Sequence, residues 1–224
     1  MDAIDVSALP AKTQDYLKVV FDLTERTGTA AAMGEIAARM GQRASTTTEG
    51  IKRLAEKGLV EHEPYAGISL TGQGRAAAMV MVRRHRLIET YLVEQLGYTW
   101  DEVHHEADNL EHAVSDTFIE RIDALLGHPA RDPHGDPIPN AAGEIEALRV
   151  QSLTALAEGE SAVVERVHDS DPELLRYLAE MGIRPGAEVS MTGTSFGGMR
   201  LVYAGEREVA LADAALDAID VSVG

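Results

Sequence analysis

The 224-residue chain has no cysteine. Disulfides, thiolate metal sites and thiol catalysis are therefore excluded, and a reducing cytoplasm is compatible with the composition. The first residues, Met1-Asp2-Ala3-Ile4-Asp5, are acidic, with neither a basic nor an apolar leader region, so no secretory leader is expected. No apolar run approaches the roughly 18 residues a membrane helix needs, so a soluble, cytoplasmic protein is expected. The chain contains no His-Glu-x-x-His, no nucleophile elbow and no phosphate-cradling glycine loop; Gly197-Gly198 is too short to count. These gaps point to binding rather than catalysis, with no small-molecule substrate.

Basic residues are in short supply, 20 Lys/Arg against 37 Asp/Glu, a net charge of −17. That balance opposes DNA binding, because the phosphate backbone attracts cations. The distribution changes the picture. Residues 1–75 carry 9 basic and 10 acidic groups (net −1), residues 76–142 carry 5 and 12 (net −7), and residues 143–224 carry 6 and 15 (net −9). The acid is concentrated away from the first third, and bound divalent cations would offset part of the middle excess.

What the chain does have is a dense ligand stretch, His104-His105-Glu106-Ala107-Asp108-Asn109-Leu110-Glu111-His112. On a helix, His104, Asp108, Glu111 and His112 fall at i, i+4, i+7 and i+8, on one face. His85 and Glu89 repeat the i, i+4 spacing earlier. A single such pair is usually a solvated helix face; two clusters on consecutive helices favour a metal site. Imidazole and carboxylate without sulfur suit Mn²⁺, Fe²⁺, Zn²⁺ or Ni²⁺, and carboxylate-rich sets lean towards hard ions such as Mn²⁺.

The periodicity predicts a helix over 8–27, with Gly28 as its C-cap. Asp15 within it reads as a solvated charge on pattern alone. Residues 33–41 and 45–57 form a helix-turn-helix pattern, the second helix capped by Thr46, Thr47 and Thr48 and given a basic side by Lys52, Arg53 and Lys57. Residues 58–71 read as two short strands round a turn, completing a winged helix. Its second helix would enter the major groove with Arg43, Ser45, Thr46, Thr48, Glu49 and Arg53 at or near the DNA. Arg43 would contact phosphate or guanine, and Glu49 would accept from cytosine. A protein-binding winged helix is the other reading.

Thr71 caps a helix over 72–96, Gly97 ends it, and Thr99 with Glu102 forms a capping box for a helix starting near Trp100. Ser115-Asp116 opens another, and these long amphipathic helices suggest a core plus a dimer interface. Residues 127–143 hold four of the eight prolines and read as an irregular connector; His128 and His134 in it could bind metal, but solvent-exposed loop histidines are the expectation. Beyond 152, short β-like runs (162–167, 188–191, 200–203, 208–211, 218–223) and one helix near 172–181 suggest a small SH3-type barrel.

Several motifs together resemble the diphtheria-toxin-repressor family of metal-dependent bacterial regulators. They are Tyr16-Leu17, Lys52-Arg53-Leu54-Ala55-Glu56-Lys57-Gly58-Leu59-Val60, Leu70-Thr71-x-x-Gly74, Arg84-His85-Arg86-Leu87-Ile88-Glu89, Val103-His104-x-Glu106-Ala107, Glu111-His112-x-x-Ser115-Asp116 and Pro133-His134-Gly135-Asp136-Pro137-Ile138-Pro139. The resemblance spans nearly the whole chain. It implies a mainly α protein with α+β parts: a winged helix-turn-helix domain (1–74), a helical metal-binding and dimerisation domain (75–143) and an SH3-like barrel (144–224).

The resemblance also implies two metal sites per subunit. The primary set falls on Asp15, Asp108, Glu111 and His112. The ancillary set falls on His85, Glu89 and His104, joined by a third-domain acid for which Asp171 matches best and Glu173 is the neighbouring candidate. Iron-type members carry Met and Cys where this chain has Asp15 and Asp108, and replacing two soft ligands by carboxylates argues for manganese. Short two-domain manganese regulators add a Glu three residues after the first Asp; here Lys18 stands there. The expected protein is a homodimeric, Mn²⁺-activated repressor of metal-uptake genes on a near-palindromic operator. Iron sensing on the same architecture, or a metal-buffering or protein-binding module, are the alternatives.

Overall fold

In the computed structural model the described residues are 5–63 and 67–222. The expected hairpin turn Pro64-Tyr65-Ala66, the first residues Met1 to Ile4 and Val223 lie outside them. The chain divides into two compact units, residues 1–85 with 139–144, and residues 86–138 with 145–224.

In the first unit a turn of 3-10 helix (Val6–Ala8) precedes α1 (Ala11–Thr27). Leu17, Val20 and Phe21 are the fully buried stripe of α1, and Gly28 closes it at φ +67. α2 (Met33–Arg39) and α3 (Ala44–Glu56) pack on α1, with Ile36, Ile51 and Leu54 buried. β1 (Val60–Glu63) and β2 (Gly67–Leu70) pair antiparallel, Val60 opposite Leu70, and Ala31 bridges to Ile68. This is the winged helix. Its junction with α4 (Gly72–Leu96) explains the Leu70-Thr71-x-x-Gly74 motif. Thr71 Oγ1 accepts from Gly74 N (3.0 Å) and donates to Gly58 O (2.7 Å). A Cβ on Gly74 would run into Leu59 O, just before β1, so only glycine fits there.

The cap of α3 differs from expectation. The helix begins at Ala44, and its N-cap residue, Arg43, makes no side-chain cap. Thr47 and Thr48 are the fourth and fifth residues of the helix, where their hydroxyls donate back to Arg43 O (3.3 Å) and Ala44 O (2.8 Å). Hydroxyls one turn into a helix bond backwards in this way instead of capping it.

In the second unit the C-terminal part of α4, α5 (Val103–Leu110) and α6 (Asp116–Leu125) share a core of Leu87, Ile88, Leu92, Val103, Ile119 and Ile122. Ser115 caps α6 by accepting from Phe118 N. The SH3-like part is a six-stranded sheet ordered β3-β8-β4-β5-β6-β7. Its strands are β3 (Gln151–Ser152), β4 (Ser161–Val167), β5 (Glu188–Thr194), β6 (Arg200–Ala204), β7 (Arg207–Leu211) and β8 (Ile219–Ser222). α7 (Pro172–Glu180) and a short α8 (Asp213–Asp217) cover its core. Alternating buried residues on β4 (Ala162, Val164) and β5 (Val189, Met191) are its sheet signature. Trp100 is buried in this same core, so it does not lie on the ligand-bearing face of the helix expected to start beside it.

Residues 131–138 are also more ordered than a connector. Asp132, His134 and Asp136 are buried, and Arg131 bridges to Pro137. Pro133 and Gly135 (φ +90) shape a tight turn that fits under β4, where a Cβ on Gly135 would meet Glu165 O. Chain polarity misleads here because the polar groups are consumed internally. Asp132 Oδ1 accepts from His134 N and Asp136 N, Arg86 donates to Pro137 O, and Arg166 bridges Asp136 (3.2 Å) and Asp220 (2.6 Å).

Candidate metal centre

In the second unit three ligand atoms converge. His104 Nδ1 lies 2.9 Å from Asp169 Oδ2 and 3.4 Å from Glu89 Oε1. Glu89 projects from α4 with its side chain 1% exposed; His104 is on the first turn of α5; Asp169 follows β4. Neighbouring ligands of a first-row ion held at about 2.1 Å stand about 3 Å apart, so this oxygen-and-nitrogen set fits a divalent ion. Burial works against a charged His104, but Asp169 and Glu89 outweigh it and raise its pKa to about 11.

The acid that reaches His104 is Asp169, not the expected Asp171. Asp171 is the exposed N-cap of α7, where its Oδ1 accepts from Glu173 N (3.0 Å) and Leu174 N (3.1 Å). Glu173 is in the first turn of that helix. The Asp-Pro start of α7 absorbs Asp171 as a cap, whereas Asp169 two residues earlier still lies on the loop leaving β4. Sequence reasoning passed over Asp169; the signal that could have found it is that an Asp directly before Pro at a helix start is already committed to capping.

Asp108 Oδ2 is 3.7 Å from His104 Nε2, one helical turn on. Glu111 is fully buried at the C-cap of α5, and His112 lies in the turn just beyond, Nε2 3.6 Å from Glu111 Oε1. The regular helix therefore ends before the last of the four spaced residues, yet Glu111 and His112 remain adjacent. In the first unit, Asp15 is half-buried on α1 with Lys12 Nζ 3.5 Å away, and His85 Nδ1 is 3.0 Å from the buried Lys18 Nζ.

Behind Glu89 lies a second buried group, Asp132 and His134. His134, expected in solvent, is 0% exposed, stacked on Trp100. Burial opposes its charge, but Glu89 and then Asp132 hold its pKa at about 10. Burial, with Asp136 and Glu89 alongside, pushes Asp132 up to about 7 against the pull of His134 and Arg86. His128 is exposed, as expected, and paired with Asp123 at 2.7 Å.

On the winged helix, Arg43, Ser45, Thr46, Thr48, Glu49 and Arg53 are all exposed along α3. Lys12, Tyr16, Gln42, Ser45, Thr46, Glu49, Gly50 and Arg53 line a hollow of about 400 Å³. Tyr16 donates to Gln42 Oε1 (2.6 Å), and its ring fills the space that a Cβ on Gly50 would need. Gly50 was not singled out in the sequence, although it sets how closely α3 lies on α1.

Comparison with known proteins agrees with this architecture. Residues 8–68 match the model of the iron dependent repressor N-terminal DNA binding domain. Residues 71–140 match the iron dependent repressor metal binding and dimerisation domain, and residues 151–223 a FeoA domain. The chain is 32% identical over 212 residues to the iron-dependent repressor IdeR of Mycobacterium tuberculosis, covering 89% of this chain and 91% of that one. A solved manganese-dependent transcriptional repressor in complex with manganese is 46% identical, with a TM-score of 0.88 over 94% of this chain and 99% of its own. The manganese regulator SloR is 32% identical, with a TM-score of 0.81 over 96% and 100%. Among the described residues no helix is long and apolar enough to cross a membrane. A DNA-binding domain joined to a metal-binding and dimerisation domain indicates a DNA-binding homodimer, not an enzyme: the chain belongs to the diphtheria-toxin-repressor family of metal-dependent transcriptional repressors.

Proposed function

We propose that this repressor is cytoplasmic, responds to manganese and controls metal-uptake genes from a near-palindromic operator. The observation that carries the metal assignment is the donor set: Glu89, Asp169 and His104 converge in a chain with no cysteine. Hard carboxylates suit Mn²⁺, which binds most weakly of the first-row divalent ions and is selected by ligand type, coordination number and supply. The manganese-named structural relatives support the same choice. Iron is the second reading, favoured by the iron-dependent mycobacterial relative.

The ancillary ligand set in this reading is His85, Glu89, His104 and Asp169, with Asp169 in place of Asp171 and Glu173. The primary set is Asp15, Asp108, Glu111 and His112; Asp15 enters through the family resemblance, and His85 through its i, i+4 spacing with Glu89 together with that resemblance. A bound divalent ion would supply the positive charge that lets these carboxylates share one point. Asp15 precedes the reading helix in sequence and the other primary ligands follow it. Shared ligation would therefore hold α1 and fix the two reading heads of a dimer for successive major grooves. Arg43 and Arg53 would then meet phosphate or guanine, and Ser45, Thr46, Thr48 and Glu49 the base edges or backbone. Domain limits of 1–74, 75–143 and 144–224 go with this division of labour.

The test is capture of sheared genomic fragments by metal-stripped protein with added Mn²⁺, anaerobic Fe²⁺ or Zn²⁺. Enrichment of a few promoter fragments by Mn²⁺ is expected. Equal enrichment by Fe²⁺ would remove the manganese assignment, and no enrichment with any ion would remove operator control.

A further inference from the structure

The reading helix α3 starts without a side-chain cap, since Arg43 at its N-cap position makes none. Such a start is held by whatever else its flanking residues touch. Here that residue is Gln42. Its N donates to Ala37 O of α2 (2.9 Å), and its Oε1 accepts from the Tyr16 hydroxyl of α1 (2.6 Å). Gln42 thus ties the start of α3 to both preceding helices. Tyr16 is buried, 4% exposed, and it touches α3 a second time further along. Its ring atoms lie 2.6 Å from where a Cβ on Gly50 would stand, so the ring rests against the α3 backbone. Arg43, Ser45, Thr46, Thr48 and Glu49, five of the six residues assigned to DNA, all lie between Gln42 and Gly50. One side chain therefore bounds that stretch at both ends. The hollow lined by Ser45, Thr46 and Glu49 opens beside the same ring, so packing on that side offers nothing to replace the hydroxyl.

We propose that Tyr16 is a positioning residue for DNA reading: through Gln42 and Gly50 it sets the height and rotation of α3 on α1, so that the exposed residues meet base edges in register. The inference rests on the DNA-binding assignment above. Hydrogen bonds to base edges weaken steeply when donor and acceptor are misaligned. Phosphate attraction carries no sequence information and tolerates small displacements. Loss of the Tyr16 hydroxyl should therefore cost specificity before it costs affinity for DNA in general. The place of Tyr16 in the chain adds a consequence. It directly follows Asp15, the α1 member of the proposed primary ligand set. An ion that held this turn of α1 would hold the reading helix through the very next residue.

Two substitutions separate this role from simple packing. Tyr16→Phe keeps the ring on Gly50 and removes only the bond to Gln42; Gln42→Leu removes the other partner of that bond. Full-length protein, loaded with the ion that promotes genomic capture, is titrated with a captured promoter duplex and with a mixed-sequence duplex of equal length at fixed salt, alongside thermal unfolding. Tyr16→Phe should bind the promoter duplex about 2- to 10-fold more weakly and the mixed-sequence duplex as before. The double variant should lose no more promoter affinity than Gln42→Leu alone, because the two groups act as one. Equal losses on both duplexes, tracking the melting temperature, would make Tyr16 structural only. Additive losses in the double variant would separate Tyr16 from Gln42, and unchanged promoter affinity in Tyr16→Phe would leave the hydroxyl without a role; each overturns the proposal. If capture yielded no promoter fragment, or the unsubstituted protein bound both duplexes equally, the operator reading itself would fail, and this inference with it.

Discussion

At the scale of single residues, two aspartates two positions apart have different neighbours, and in the proposed reading only Asp169 is a ligand. Asp169 Oδ2 is 2.9 Å from His104 Nδ1, while Asp171 is occupied by two backbone N–H groups at the start of α7. Removing a helix cap costs about 1 kcal/mol, whatever metal is present. Removing a ligand leaves the fold largely intact but takes away part of the ion's coordination. Asp169→Ala should therefore lose Mn²⁺ affinity by at least about tenfold with little change in metal-free melting temperature. Asp171→Ala should lower that temperature by several degrees and leave Mn²⁺ affinity unchanged. Calorimetric titration and thermal unfolding of both variants would decide the assignment, and the reverse pattern would restore Asp171 to the site.

At the scale of elements, Glu165 on β4 links two neighbours: Ser222 of β8 donates to its Oε1 (2.6 Å) and Arg131 of the buried turn to its Oε2 (2.9 Å). The Ser222 bond, and then Arg131, keep its carboxyl below the ordinary value of 4.5 against the opposing effect of burial. A carboxyl depressed on folding stabilises the protein above its unfolded pKa, and that contribution is lost as pH falls through the folded value. Glu165→Gln should therefore be less stable at neutral pH and converge on the original protein as the pH falls below the lowered folded-state value; urea unfolding at several pH values would show it, and parallel curves would not. Elements of this kind were unevenly legible in the sequence. The winged helix, α4 and the barrel strands followed from periodicity and from glycine stops such as Gly28 and Gly97, because burial imposes period on a chain. The spacing of His104, Asp108, Glu111 and His112 exposed the ligand stretch even though α5 ends before its last member. The turn at 131–138 was illegible, because proline and charge normally mark solvent-facing loops. Its buried charges are satisfied by Arg86 and Arg166, partners distant in sequence that only the fold brings near. Asp169 was missed for a related reason: its value depends on where β4 ends relative to His104, which local pattern does not encode.

At the scale of the whole molecule, the net charge of −17 opposes approach to DNA, and the near-neutral first 75 residues only limit that penalty. In the proposed reading, a divalent ion bound by the ligand carboxylates would relieve part of the repulsion and order the winged helices at the same time. Metal and operator then favour the same state of the dimer. Linkage makes this coupling symmetrical: if Mn²⁺ tightens operator binding by some factor, operator must tighten Mn²⁺ binding by that factor. For a coupling of about 1–3 kcal/mol the change is about 5- to 150-fold. Mn²⁺ titrations of the full-length protein, with and without saturating operator duplex at fixed salt, would read one side, and duplex titrations with and without Mn²⁺ the other. Equal factors are expected, and both should fall together in Asp108→Ala. An operator affinity that rises with Mn²⁺ while Mn²⁺ affinity ignores the duplex would mean that the ion acts on the DNA or on aggregation of the protein, and not through a shared state of the dimer.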